Sequence, residues 1–136
     1  LDPDDLKEFL KMKPDHSTMI KFVDDRLSSC IGIISAEPII IRLIFRDITG
    51  IDEDVSEKIT EFIDKIITTI SKEIEILCKN NVFKDNIEPE IAASMLFGGV
   101  ITMVFQYGNK NKNFMDKSIT NAMSILYILG VYKNNH

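Results

Sequence analysis

Tryptophan is absent from this 136-residue chain, and histidine, cysteine, tyrosine and proline are scarce, with two, two, three and four copies. Each shortage excludes something. His16 and His136 are the only imidazoles. A Ser/His/Asp or Cys/His set needs a histidine held between a nucleophile and an acid. His136 is the last residue, and His16 follows Pro14-Asp15 at a helix start, where it reads as a solvent-facing neighbour of the cap. Cys30 and Cys78 are too few for a disulfide scaffold and too isolated for a zinc spacing. Each stands among apolar residues and reads as a small buried hydrophobe, consistent with a reducing cytosol. The six glycines form neither GxGxxG nor a phosphate-binding loop. The acidic run Asp47 to Lys58 has a misplaced glycine and ends on lysine, which excludes an EF-hand. No uninterrupted apolar run of about 18 residues occurs, so no membrane span is expected. The opening Leu1 to Pro14 is charged and unlike a signal peptide. Sixteen Lys+Arg against 21 Asp+Glu, a net charge of −5, argue against this chain gripping nucleic acid through its own field. The chain is therefore expected to be a cytoplasmic non-enzyme, with no catalytic set, metal site or cofactor.

What is present is hydrophobic periodicity. Hydrophobic residues make up 45% and charged residues 27%, the profile of one globular domain. At this length roughly two-thirds of the unfolded surface is buried on folding, so no staple is required. Isoleucine occurs 23 times, and its β-branch favours strands. Its spacing is nonetheless helical, and spacing is the stronger signal.

A leader helix is expected over about Pro3 to Met12, with Asp2 as cap and Pro14 as stop. The first long helix spans about Ser17 to Ser35, with Ile20, Val23, Leu27, Cys30, Ile31 and Ile34 on one stripe and Met19, Phe22 and Arg26 beside it. The second opens at Glu37-Pro38 and stops at Gly50. The third, about Asp54 to Lys79 and roughly 39 Å long at 1.5 Å per residue, carries Val55, Ile59, Phe62, Ile63, Ile66, Ile70, Ile74 and Leu77. Its outer face pairs Asp54–Lys58, Glu61–Lys65 and Glu75–Lys79, acid before base. After a polar turn, the fourth runs from Glu88-Pro89 to about Tyr107 and the fifth from about Asn113 to Tyr132. The expected fold is all-α, an antiparallel bundle of five main helices plus the leader.

The last two helices differ from the third. Met95 to Phe105 and Met123 to Tyr132 are apolar in nearly every direction, and a helix apolar all round must be covered all round. One solution is a central helix in a monomer. The other is a second copy of the chain, meeting the first across an isologous two-fold. That arrangement places Leu96, Val100, Met103, Val104, Tyr107, Ile119, Met123, Leu126 and Tyr127 at a homodimer interface, with Ala92, Ala93, Gly98 and Gly99 allowing close approach. The large or flexible groups Met19, Phe22, Phe45, Phe62, Phe97 and Met103 suit either an ordinary core or an apolar ligand pocket.

The order of segments resembles the C-terminal ligand-binding and dimerisation domain of tetracycline-repressor-like (TetR/AcrR) regulators. Glu37-Pro38-Ile39-Ile40-Ile41-Arg42-Leu43 is similar to the family's short central helix. The long helix from Asp54 follows, ending in Asn80-Asn81-Val82-Phe83-Lys84-Asp85-Asn86. Ile87-Glu88-Pro89-Glu90-Ile91-Ala92-Ala93-Ser94-Met95-Leu96-Phe97-Gly98-Gly99 resembles the family's acid-proline-glutamate, Ala-Ala, leucine, glycine segment. The resemblance covers about Asp15 to Tyr132. It implies a domain over residues 15–136 that dimerises through the last two helices and binds a small, largely apolar effector. Residues 1–14 become a leader, the end of a helix joining a DNA-binding helix-turn-helix that this chain does not contain; operator DNA would be met only through that domain. Effector-lining residues under this resemblance are Met19, Phe22, Val23, Arg26, Phe45, Phe62, Ile66 and Phe97. Arg26 would hold an anionic head group such as a fatty-acid carboxylate, or else be a surface charge beside Asp24 and Asp25. A cationic ligand would need Asp25 or Asp47. The alternative function is an α-helical protein–protein interaction module without a small ligand.

Overall fold

The computed structural model describes residues 3–35, 53–108 and 117–133. They form five helices: α1 (Pro3–Lys11), α2 (His16–Ser35), α3 (Glu53–Lys79), α4 (Pro89–Gly108) and α5 (Lys117–Val131). The all-α class holds: among the described residues there is no strand, only an isolated antiparallel bridge between Phe83 and Tyr132. The helix expected between Glu37 and Gly50 lies outside the described residues, as do Asn113 to Asp116.

Local chemistry sets the boundaries. α1 ends where Met12 and Lys13 donate to the Phe9 and Leu10 carbonyls and Lys13 turns left-handed (φ 48°) ahead of Pro14. Asp15 then caps α2, its Oδ1 accepting from the Thr18 amide at 2.8 Å. Those hydrogen bonds to Thr18 hold the Asp15 carboxyl below its ordinary value. α3 ends in a Schellman motif. Asn81 is left-handed (φ 60°) and donates to Cys78, while Val82 reaches back to Leu77 at 3.0 Å. Val82 and Leu77 are both buried, which supplies the hydrophobic contact that accompanies this cap. The chain end is tied down on two sides. Lys84 donates to Val131 and Lys133 to Val82, each at 2.9 Å. The Tyr132 hydroxyl donates to the Pro14 carbonyl at 3.2 Å, with His16 edge-on to its ring.

The core combines Met19, Val23, Leu27, Ile31 and Ile34 of α2 with Ile74 and Leu77 of α3, Ala93, Phe97, Val100 and Val104 of α4, and Ile128 of α5. Extensive helix contacts join α2 to α5 and α3 to α4, with a smaller contact between α2 and α4. On α2 both expected stripes meet the interior. Met19, placed on the flanking stripe by periodicity, is fully buried, whereas Ile20 and Cys30 are half-buried.

The outer faces of α4 and α5 are uncovered within the subunit. Ile91 and Met95 are 61% and 71% exposed, and Leu126 and Leu129 are 72% and 62% exposed. On α4 the exposed positions Ile91, Met95, Gly98, Thr102 and Phe105 recur at alternating steps of four and three, forming one stripe. On α5 the polarity is partly inverted. Thr120 and Ser124 are buried, with Ser124 Oγ donating to the Thr120 carbonyl at 2.7 Å, while Ile125, Leu126 and Leu129 face outward. The two helices touch through Met123 beside Gly99 and through the Tyr127 hydroxyl, which donates to the Ala92 carbonyl at 3.4 Å. Over Pro89–Tyr107, α4 is long and apolar enough, by length and composition alone, to cross a membrane. Glu90, Ser94 and Gln106 interrupt the apolar run without offsetting its Ile, Met, Val and Phe content. A core helix passes the same test, and a third of α4 is buried inside the subunit.

The left-handed Asn81 gives a direct test of the α3 cap. Asn81→Ala should destabilise the chain by about 1 kcal/mol, because a Cβ without a local hydrogen-bonding group is costly there. Asn81→Gly should be neutral or stabilising. Urea midpoints of the two variants check the order.

Candidate ligand cavity

A cavity of 380 Å³ lies between α2, α3 and α4, within the range of about 300–1,000 Å³ usual for small-molecule sites. Its origin is the packing pattern. α2 leans on α5 and α3 on α4, while α2 and α3 make no extensive contact with each other. α3 contributes a row one turn apart: Phe62, Ile66, Thr69 with Ile70, Glu73 and Leu77. α2 contributes Phe22, Val23, Arg26 and Cys30, and α4 contributes Leu96, Phe97 and Val100. Ser29, Ile33, Lys65 and Thr69 are the exposed members of the lining and mark its rim.

Inside that rim the wall is mostly apolar, and one ion pair crosses it. The Arg26 guanidinium of α2 pairs with the Glu73 carboxylate of α3 across the gap. Both side chains are about a quarter exposed, at 28% and 24%. Arg26 also lies over the Phe22 ring, 5.2 Å from its centroid, and Phe22 stacks in turn on Phe9 of α1 at 4.8 Å. Among the described residues, the buried Nε of Arg26 has no hydrogen-bond partner. A carboxylate offers the acceptors that such a donor lacks.

Three further groups in or near the cavity, Cys30, Cys78 and Tyr127, are shifted toward their neutral forms. Burial raises the Cys30 thiol above its ordinary value. Burial, with Asp85 and Glu75 nearby, does the same to Cys78. Thiols so placed are poor nucleophiles. Burial, and secondarily Cys78, pushes the Tyr127 phenol well above its ordinary value. Among the described residues, no group of three His, Cys, Asp or Glu side chains is placed to hold a metal ion.

Of the residues expected to line an effector site, the structure brings Phe22, Val23, Arg26, Phe62, Ile66 and Phe97 to this one cavity. Met19 is buried in the core away from the lining, and Phe45 lies outside the described residues. Several residues assigned to a dimer interface have other positions. Val100 and Val104 are buried inside the subunit, because they fall on the α4 stripe that runs through Ala93 and Phe97. Leu96, Val100 and Tyr127 line the cavity. Met103, Tyr107, Ile119 and Met123 are half-buried, and Leu126 is on the open face. The outer stripe instead includes Ile91, Met95, Phe105, Ile125 and Leu129, which were not singled out. Glu73 was also missed. It continues the Phe62–Ile66–Thr69 row by one turn, and an acid in register with an apolar row is the signal that would have found it.

No protein-family model, curated protein or solved structure matches this chain.

The raised Tyr127 value has a definite sign. Its neutral phenol contributes stability that is present below the unfolded value of 10.0 and lost as pH rises through the folded value. Wild type and Tyr127→Phe should therefore develop the same tyrosinate absorbance on alkaline titration until the chain unfolds. Extra absorbance in wild type before unfolding would contradict the burial of this phenol.

Proposed function

We propose that this chain is the effector-binding and homodimerisation domain of a TetR/AcrR-like transcriptional regulator, an antiparallel helical bundle that binds a small, largely apolar ligand. The observation that carries the reading is the cavity between α2, α3 and α4, where six of the residues expected from the resemblance converge on one apolar space. The open stripes of α4 and α5 support its second half. Two copies related by a two-fold would cover Met95 and Leu126 in a four-helix arrangement, with Gly98 permitting close approach. Gly98 meets nothing within 4 Å inside its own subunit.

The mechanism follows from what each part touches. Phe22 lines the cavity and stacks on Phe9, so an occupant of the cavity presses on the side chain that seats α1. In the proposed regulator α1 leads to a helix-turn-helix domain, and the dimer sets the distance between two such heads on operator half-sites. An effector changes operator affinity only to the extent that it binds one arrangement of the heads more tightly than the other. The chain itself performs no chemistry, requires no cofactor or metal, and works in the cytosol. The competing role, docking another protein's helix on the open α4–α5 face, draws on the inverted polarity of α5 but leaves the cavity without a use.

Filling the cavity tests the assignment. Phe62→Trp and Phe97→Trp should each weaken binding of N-phenyl-1-naphthylamine, a neutral apolar fluorophore, by about tenfold, of the order expected for overpacking a site by ~1–3 kcal/mol. Neither change should alter the oligomeric state. Unchanged affinity in both variants would remove the cavity from the function.

A further inference from the structure

We infer that the cavity's ligand is a single-chain carboxylate amphiphile, its head received by Arg26 in competition with Glu73 and its chain lying among Phe22, Phe62 and Phe97. The inference rests on the ligand-binding reading above and names the chemistry that reading leaves open. Three charged side chains line the cavity: Arg26, Lys65 and Glu73. Arg26 and Glu73 face each other across the gap, whereas Lys65 is exposed at the rim, about 12 Å along α3 from Glu73 at 1.5 Å per residue. The head-group site is therefore the Arg26 guanidinium.

Among the described residues Arg26 has one acceptor, Glu73, and it presents a rigid fork of five donors. Its Nε–H is buried without a partner among the described residues, and a second planar carboxylate could be accepted bidentately. Phe22 beneath the guanidinium fixes its plane. Of the acids named for a cationic ligand, Asp25 is exposed and does not line the cavity, and Asp47 lies outside the described residues. The acid that does line it, Glu73, is already paired with Arg26. Away from the ion pair the wall is mostly hydrocarbon and aromatic surface, with Ser29, Lys65 and Thr69 at the exposed rim. At interior packing density the space suits a chain of roughly ten to fifteen non-hydrogen atoms, which is the size of a medium-length fatty carboxylate.

Glu73 gives the proposal a signature that a merely structural ion pair lacks. It occupies the guanidinium that the ligand's head requires, so its removal should strengthen anion binding, whereas loss of Arg26 should weaken it. The experiment is a calorimetric titration of the 136-residue chain with dodecanoate, dodecan-1-ol and dodecylamine below their aggregation concentrations, using wild type, R26Q, E73Q and R26Q/E73Q. Dodecanoate should bind wild type at least tenfold more tightly than dodecanol. E73Q should widen that preference several-fold, and R26Q should abolish it. The double variant, which removes one charge of each sign and so strands neither partner, should also bind dodecanoate no more tightly than dodecanol. Equal binding of dodecanoate and dodecanol by wild type would overturn the carboxylate assignment while leaving an apolar ligand site intact. Preference for dodecylamine would overturn it in favour of Glu73 as the head-group partner. Binding of none of the three would overturn the ligand-site reading itself, and this inference with it.

Discussion

Helix α4 carries apolar side chains around its whole circumference, and a single subunit closes only part of that surface. Ala93, Phe97, Val100 and Val104 disappear into the core, while Ile91, Met95 and Phe105 remain open beside Leu126 and Leu129 of α5. Exposed single hydrophobes are ordinary on soluble proteins, but a stripe of them along one helix points to an interaction surface. The inverted polarity of α5 sharpens the point, because this helix buries Thr120 and Ser124 and shows its leucines to solvent. In the proposed dimer a second copy would supply the cover. Helix α4 would then serve both the dimer and the cavity, since it supplies Leu96, Phe97 and Val100 to the cavity wall.

The cavity depends on a packing mismatch of a different kind. α2 and α3 are each satisfied by another helix, so the space between them is bridged by the Arg26–Glu73 pair instead of being closed by side-chain packing. Partly exposed ion pairs contribute little to stability. The worth of this pair is positional, because it sets an ionic contact in a mostly apolar wall. Asp15, Asn81 and the bonds from Tyr132 and Lys133 tie three chain segments together. Leu77 and Phe83, beside that tie, also line the cavity, and Phe22 and Phe9 link its lining to α1.

Much of this was legible in the residues. The stops at Pro14 and the Asn80–Asn81 turn, and the proline start at Pro89, gave helix limits close to those observed, since caps and prolines act locally. The large side chains Phe22, Phe62 and Phe97 suited either a core or a pocket, and only the family resemblance grouped them with Arg26 as a lining; the structure brings all four to one cavity. What periodicity could not supply was direction. On a helix as uniformly apolar as α4, no moment distinguishes inner from outer face, so Val100 and Val104 were placed outward although they are buried, and Met95 was overlooked although it is open. The same limit hid Glu73. Its role depends on Arg26 lying across a gap 47 residues away in sequence, and no local pattern encodes which neighbour a helix declines to pack against.

Sedimentation equilibrium of the wild-type chain beside Gly98→Glu and Leu126→Lys tests the partnered face most directly. Gly98 meets nothing within its own subunit, and Leu126 is largely exposed, so both variants should fold with unchanged helicity. At micromolar concentration the wild type is expected at twice 15.5 kDa, with both variants at the monomer mass. A wild-type chain that sediments as a folded monomer would contradict the two-fold assembly and leave the open face of α4 without an explanation.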